Sequence, residues 1–300
     1  MATIASCILG LAPSTPDGTP ADDASPEFWR DQLGAVAAQG FDAVEINDAW
    51  LKPALLGAER RRELIDAAND AALRIVSLHI QRVSPIAPGV GDENLAYGHA
   101  SIDAAAEMGV EVYSTGLHQP LTDAQKSALW FWTADGPKDP VDDRETWNTA
   151  VARIRELGHH AADVGLRLAL ELYEDTYLGT AESAVRFVQD VGLDNVGLNP
   201  DVGNLIRLHR PVEDWREVYA KTLPYANYWH LKNYQRDETP DRSWAVAFPA
   251  TMRDGIINYR DVIAQAVALG YDGIYTCEHY GGDSLGVCGE NRRYIESLLG

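Results

Sequence analysis

Eight short apolar runs of β type alternate with stretches of helical spacing along the 300-residue chain, near residues 3–10, 42–47, 74–80, 110–115, 166–172, 195–199, 226–231 and 271–277. A short apolar run bounded by turn residues suits a strand buried on both faces of a parallel sheet. The amphipathic stretch after it is the crossover helix that carries the chain back. Eight such units predict a single (β/α)8 TIM-barrel domain over residues 1–300. Helix boundaries are also legible. Ser25-Pro26 reads as an N-cap serine with proline at the first helical position. Thr180 opens another helix, in which Ala184, Val185, Phe187 and Val188 keep helical register. A Gly-aromatic-Asp pattern recurs in Gly40-Phe41-Asp42-Ala43-Val44 and Gly270-Tyr271-Asp272-Gly273-Ile274, where each glycine closes a helix before a strand. The intervals vary too much for a solenoid. A doubly wound sheet is the competing fold, disfavoured because no Gly-rich dinucleotide turn follows an early strand. Two connections are long, near 116–146 and 233–255, and both follow the C-terminal ends of strands, where such barrels place their chemistry. The first carries Trp130, Phe131, Trp132 and Trp147, and the second Tyr234, Trp244 and Phe248. These aromatics either pack the loops onto the rim or stack on a ligand.

Charge narrows the partners. With 25 Lys and Arg against 45 Asp and Glu, the net charge is −20. Nucleic-acid binding rests on neutralising phosphates with cations, so broad contact with nucleic acid is excluded, as is an anionic membrane surface. No apolar run approaches the length that crosses a bilayer. Three widely spaced cysteines, Cys7, Cys277 and Cys288, imply reduced thiols and no disulfide framework. Together with an N-terminus that lacks a basic, apolar leader, they predict a cytoplasmic protein.

The later strands end on residues that carry chemistry. The fifth ends Leu170-Glu171-Leu172, the sixth runs into Asn199-Pro200-Asp201, the seventh ends Trp229-His230-Leu231-Lys232, and the eighth ends Cys277-Glu278-His279. Glu171, Asp201, His230 and Glu278 would converge at the barrel mouth. Three carboxylates and one imidazole suit one hard or borderline divalent cation, Mn2+ first, with Mg2+ or Co2+ as alternatives. Lys232, two residues beyond His230 and on the same side of the strand, can bond a substrate oxygen or an enediolate. His118, just past the fourth strand, can serve as a separate general acid or base, and His79, ending the third, can line the substrate pocket. A lone histidine is as often structural as catalytic. His99, His159, His160 and His209 fall in helices or helix-flanking loops and receive no role.

Four blocks carry a resemblance: Leu170-Glu171-Leu172-Tyr173-Glu174-Asp175, Val196 to Asn204, His230-Leu231-Lys232-Asn233, and Gly270 to Glu278. In these the chain resembles the sugar isomerase/epimerase superfamily with its xylose-isomerase-like barrel, over almost the full length. The resemblance implies one divalent metal held by Glu171, Asp201, His230 and Glu278. It also implies that Glu171 and Glu278 remove and return a proton next to a substrate carbonyl. Two positions depart from the pattern. Asn204 stands where many epimerases carry a histidine three residues after the metal aspartate, and Asn233 replaces the aspartate of His-x-Lys-Asp.

The implied activity is a metal-dependent isomerase or epimerase acting on a keto sugar. The alternative within the superfamily is a lyase that cleaves 3-keto C-glycosides by β-elimination, as the α subunits of C-glycoside deglycosidases do in complex with a small β subunit. Trp132 and the loop around it would then contact the aryl group, with Asn204, His79 and Lys232 on the sugar. A homo- or hetero-oligomer accompanies either reading. A phosphorylated substrate is disfavoured, because Gly281-Gly282-Asp283 offers an acid where a cation would help. DNA-repair endonucleases built on metal-dependent barrels are excluded by the net charge.

Overall fold

The computed structural model describes residues 2–300. Eight parallel strands form a nearly closed barrel: β1 Ile4–Cys7, β2 Ala43–Asn47, β3 Arg74–His79, β4 Val112–Thr115, β5 Arg167–Glu171, β6 Val196–Asn199, β7 Trp229–Leu231 and, after a hairpin, β10 Tyr275–Cys277. The ladder runs β6-β5-β4-β3-β2-β1-β10-β7, which is the order of a barrel wound once around. Each falls on one of the apolar runs, and nearly every strand residue is buried because helices cover the outer face. Inside, Ala5, Ala43, Val76, Val112, Ala169, Tyr228 and Ile274 form an apolar cluster of their own. The larger core lies between strands and helices.

The caps behave as their chemistry requires. The Ser25 and Thr180 side chains accept from the backbone N–H of Phe28 and Ser183. Gly40 and Gly270 lie at φ +89° and +81°, the left-handed region that ends a helix without a Cβ clash. Asp283 caps the last helix, Ser284–Leu299, by accepting from the Gly286 N–H, so its position has a structural cause.

The barrel has one seam. Between β6 and β7 there is a single bridge, Leu198 to Ala226, in place of a ladder. The Asn199 side chain helps to close it, its Oδ1 accepting from the His230 N–H at 2.7 Å.

Both long connections hold more structure than the sequence suggested. Residues 233–255 form an antiparallel hairpin, in which the polar β8 Asn233–Glu238 pairs with the apolar β9 Ala245–Ala250. Tyr234, Ala245, Ala247 and Ala250 face inward while Trp244 and Phe248 stay exposed, so pairing and one-sided burial together make the strands. The first connection contains a short helix, Asp123–Ser127, fixed by a Thr122–Gln125 capping box, and a tight turn, Phe131–Thr133. Trp147 sits in the first turn of the helix Arg144–Asp163. Its ring packs edge-on against Tyr177 and Phe187, and its Nε1 donates to Asp190. It anchors that helix and is not part of a ligand surface. Among the described residues no helix is long and apolar enough to cross a membrane, and Cys7, Cys277 and Cys288 are buried free thiols.

Candidate active site

Strand register sets the site. Glu171 is the last residue of β5, and Asp201, His230 and Glu278 stand at or just past the ends of β6, β7 and β10. Each offers one ligand-type atom, and these atoms all lie within 4.8 Å of one another, every residue buried. His230 is central: its Nδ1 lies 3.0 Å from Glu171 Oε1, 3.2 Å from Glu278 Oε2 and 3.9 Å from Asp201 Oδ2. Lys232 does not face an open substrate space. Its ammonium is 2.7 Å from both Asp201 Oδ2 and Glu278 Oε1 and is almost fully buried.

The electrostatics follow from crowding charges in a dry place. Burial alone would raise the Glu171 carboxyl, but His79, His118 and His230 outweigh it and hold the pKa well below the usual range. Glu278 is likewise pushed up by burial and pulled down further by Lys232 and His230, to about 2. Asp201 goes the other way. Burial raises it, Lys232 opposes, and Glu278 and Glu171 add to the rise, leaving it at about 8. Burial lowers the His230 imidazole, yet Glu45, Glu171 and Glu278 lift it well above its ordinary value.

This donor set fits a divalent cation. Asp201 and His230 hold protons here because like charges crowd a dry site, and a divalent cation placed among Glu171, Asp201, His230 and Glu278 would take over that neutralising role as those protons leave. Asp201 Oδ1 is buried without a hydrogen-bond partner among the described residues, as an open ligand position would be. Three oxygen donors with one imidazole favour a hard or borderline metal over one that seeks thiolates.

The flanking residues fall around Glu171. His118 Nε2 is 2.8 Å from its Oε2, and His79 Nε2 is 3.6 Å from the same oxygen. His79 also bonds Ser114 through Nδ1, at 3.0 Å. Asn204 Nδ2 donates to Leu172 O at 2.9 Å and lies 3.3 Å from Asp201 Oδ2, so it braces the aspartate loop. Trp132 is buried against Tyr234 and Tyr280, and the Tyr280 ring in turn lies 5.2 Å from the Lys232 ammonium. The Trp132 Nε1 has no partner among the described residues. A cavity of about 160 Å3 opens between the loops after β3, β4, β5 and β6, lined by Arg82, Trp132, Tyr173, Glu174 and His209. Tyr173 links it to the donors, meeting the His118 ring edge-on at 4.4 Å.

Two features escaped sequence reasoning. Glu45, in the middle of β2 and fully buried, accepts from His230 Nε2 at 2.9 Å and from Tyr228 Oη at 2.5 Å. That fixes the imidazole with Nδ1 toward the carboxylates. The signal was present: a charged residue inside an otherwise apolar strand, DAVEIN, needs a partner. The second is Arg207, fully buried, whose Nη2 bonds both Glu174 oxygens at 2.8 Å while its guanidinium lies 4.7 Å from the Phe131 ring. No local pattern marks it.

The fold and the site together define a (β/α)8 barrel with an acidic, histidine-bearing centre at its strand C-termini. The chain belongs to the xylose isomerase-like TIM barrel family, whose profile matches residues 33–298. Among solved structures it is similar to a xylose isomerase-like TIM barrel protein from Mycobacterium smegmatis, crystallised in complex with magnesium. The two are 44% identical with a TM-score of 0.94, over 100% of this chain and 97% of that one. It also shares its fold with a D-allulose 3-epimerase from Methylomonas sp., at 16% identity and TM-score 0.68, over 99% and 98% of the two chains. In sequence it is 25% identical over 150 residues to the inosose dehydratase of Geobacillus thermodenitrificans (strain NG80-2), a match spanning 47% of this chain and 49%, about half, of that protein.

Proposed function

We propose that this protein is a divalent-metal-dependent enzyme that abstracts a proton next to the carbonyl of a keto sugar or keto polyol and returns it to give an isomer or epimer. The observation that carries the reading is the buried cluster of Glu171, Asp201, His230 and Glu278 at the strand C-termini. Mn2+ is the preferred ion, with Mg2+ in keeping with the ligand of the M. smegmatis relative. Bound there, the ion would polarise the substrate carbonyl and acidify the neighbouring C–H. Glu171 and Glu278, on opposed strands, are held ionised by their cationic neighbours, so either can take the proton from carbon and, once protonated, return it. Lys232 holds Glu278 and Asp201 in place through its two ion pairs. Trp132 lines the adjacent cavity and would contact the part of the substrate that extends into it.

One arrangement favours a second outcome, β-elimination, as in dehydration or cleavage of a 3-keto C-glycoside. His118 lies against Glu171 and can protonate a leaving group, whereas Asn204, in the place where epimerases carry a histidine, cannot. Similarity to a dehydratase over half its length points the same way. The test is incubation of the Mn2+-loaded protein in D2O with keto sugars, inososes and 3-keto aryl glycosides, followed by NMR. Deuterium at the carbon beside the carbonyl, lost in Glu171→Gln and Glu278→Gln at equal metal content, supports proton transfer by these residues. Exchange that persists in both variants refutes it. An eliminated product without an exchanged isomer selects the second outcome.

A further inference from the structure

The structure also assigns chemistry to histidines outside the barrel mouth. His99 lies on the helix Gly91–Glu107 and His160 on the helix Arg144–Asp163, which pack side by side outside the barrel. Each helix carries one histidine and one acid a single turn apart, His99 with Asp103 and Glu156 with His160. The pairs cross between helices. His99 Nε2 is 3.0 Å from Glu156 Oε1, and His160 Nε2 is 2.9 Å from Asp103 Oδ1. The remaining nitrogens, His99 Nδ1 and His160 Nδ1, face each other at 2.8 Å. The histidine side chains are 30% and 24% exposed, so an ion in solution can reach them.

Counting protons shows what the arrangement accommodates. Each Nε2 facing a carboxylate must carry hydrogen, because a lone pair there would meet a negative oxygen. That leaves the two Nδ1 atoms at hydrogen-bond distance, a contact that a single bridging proton satisfies. We propose that His99 and His160 form a binding site for a single borderline transition-metal ion, Zn2+ being the reference case, which takes the place of the shared proton. The exchange balances: one Zn2+ enters, one H+ leaves, and both rings become neutral ligands through Nδ1. Imidazole that donates its other N–H to a carboxylate is the usual form of a metal-bound histidine, and both rings have it in place. Zinc–nitrogen bonds of about 2.0–2.1 Å at a tetrahedral angle require the nitrogens to stand roughly 3.3 Å apart, an opening of about half an ångström, with each ring turned by roughly 35° so that both lone pairs converge on the ion. Water fills the outer positions. An all-imidazole pair selects Zn2+, Ni2+ or Cu2+ and rejects Mg2+, unlike the carboxylate-rich mouth. The ion ties together the helices that follow the third and fourth strands.

The test uses the full chain and Zn2+ alone, with bound zinc counted by equilibrium dialysis and elemental analysis. His99→Ala and His160→Ala should each bind one zinc fewer per chain than the wild type, whatever the mouth holds. Asp103→Asn and Glu156→Gln leave the ligands in place and should bind the same zinc about 10- to 100-fold more weakly. A zinc-edge anomalous peak should lie between the two Nδ1 atoms. Equal zinc counts in the wild type and both histidine variants would overturn the site, as would a peak held by any other residue pair.

Discussion

Glu45 shows how much one buried side chain can decide. A carboxylate in the wall of a barrel is tolerated because His230, Tyr228 and Ser77 all bond it, and in return it sets which imidazole nitrogen faces the mouth. Glu45→Gln keeps the shape but weakens the hold on His230, and it should reduce Mn2+ affinity about 10- to 100-fold by isothermal titration, with the fold intact by circular dichroism. Asp48 makes a different prediction. Burial lifts its pKa from 3.8 to about 7, against the pull of the Gln81 N–H. The native state therefore keeps a proton that the unfolded chain has already lost between those values. Stability contributed there is greatest at acid pH, falls as pH rises through that window, and is flat above it. Asp48→Asn retains the acceptor for Gln81 and should remove this slope, gaining on the order of 2–4 kcal/mol at pH 8 and little at pH 4. Urea unfolding at the two pH values measures it.

At the scale of elements, the site depends on close approaches that only some segments permit. Gly203 opens the short helix after Asp201, and a Cβ there would run into Lys232 Cγ. Gly203→Ala should displace the lysine from Asp201 and Glu278 and lower kcat at least tenfold, while the strands melt as before. The turn Phe131–Thr133 sets Trp132 in the wall of the cavity beside Tyr173, so Trp132→Ala should raise KM about tenfold, or ~1.4 kcal/mol of binding, at unchanged metal content. Initial rates on the accepted substrate read both. What the sequence disclosed follows the same division. The strands and caps were legible because burial on both faces and helix ends impose strong local patterns. Glu171, Asp201, His230 and Glu278 were legible because strand ends in this architecture point to one place. The hairpin Asn233–Glu238 with Ala245–Ala250 was not, since its first strand is polar and its second carries a proline, a residue that argues against a strand. Nor was the Arg207–Glu174 pair, which exists only once loops 33 residues apart are folded together.

Across the whole molecule, the candidate centre spans the weakest line of the barrel. The sheet is laddered everywhere except between β6 and β7, and Asp201 and His230 stand on either side of that seam. An ion held by both would fasten what the backbone leaves open. At a concentration 100 times its dissociation constant it should stabilise the fold by about 2.7 kcal/mol, so chelation should lower Tm by about 5 °C. Amide exchange should rise first along Val196–Asn199 and Trp229–Leu231. The central claim is that the mouth of this barrel is a one-metal centre, and manganese-edge anomalous scattering from crystals of the Mn2+-loaded protein tests it most directly. The account predicts one peak in the mouth at bonding distance from Glu171, Asp201, His230 and Glu278. A mouth without manganese, or an ion there bound by a different set of residues, would contradict it.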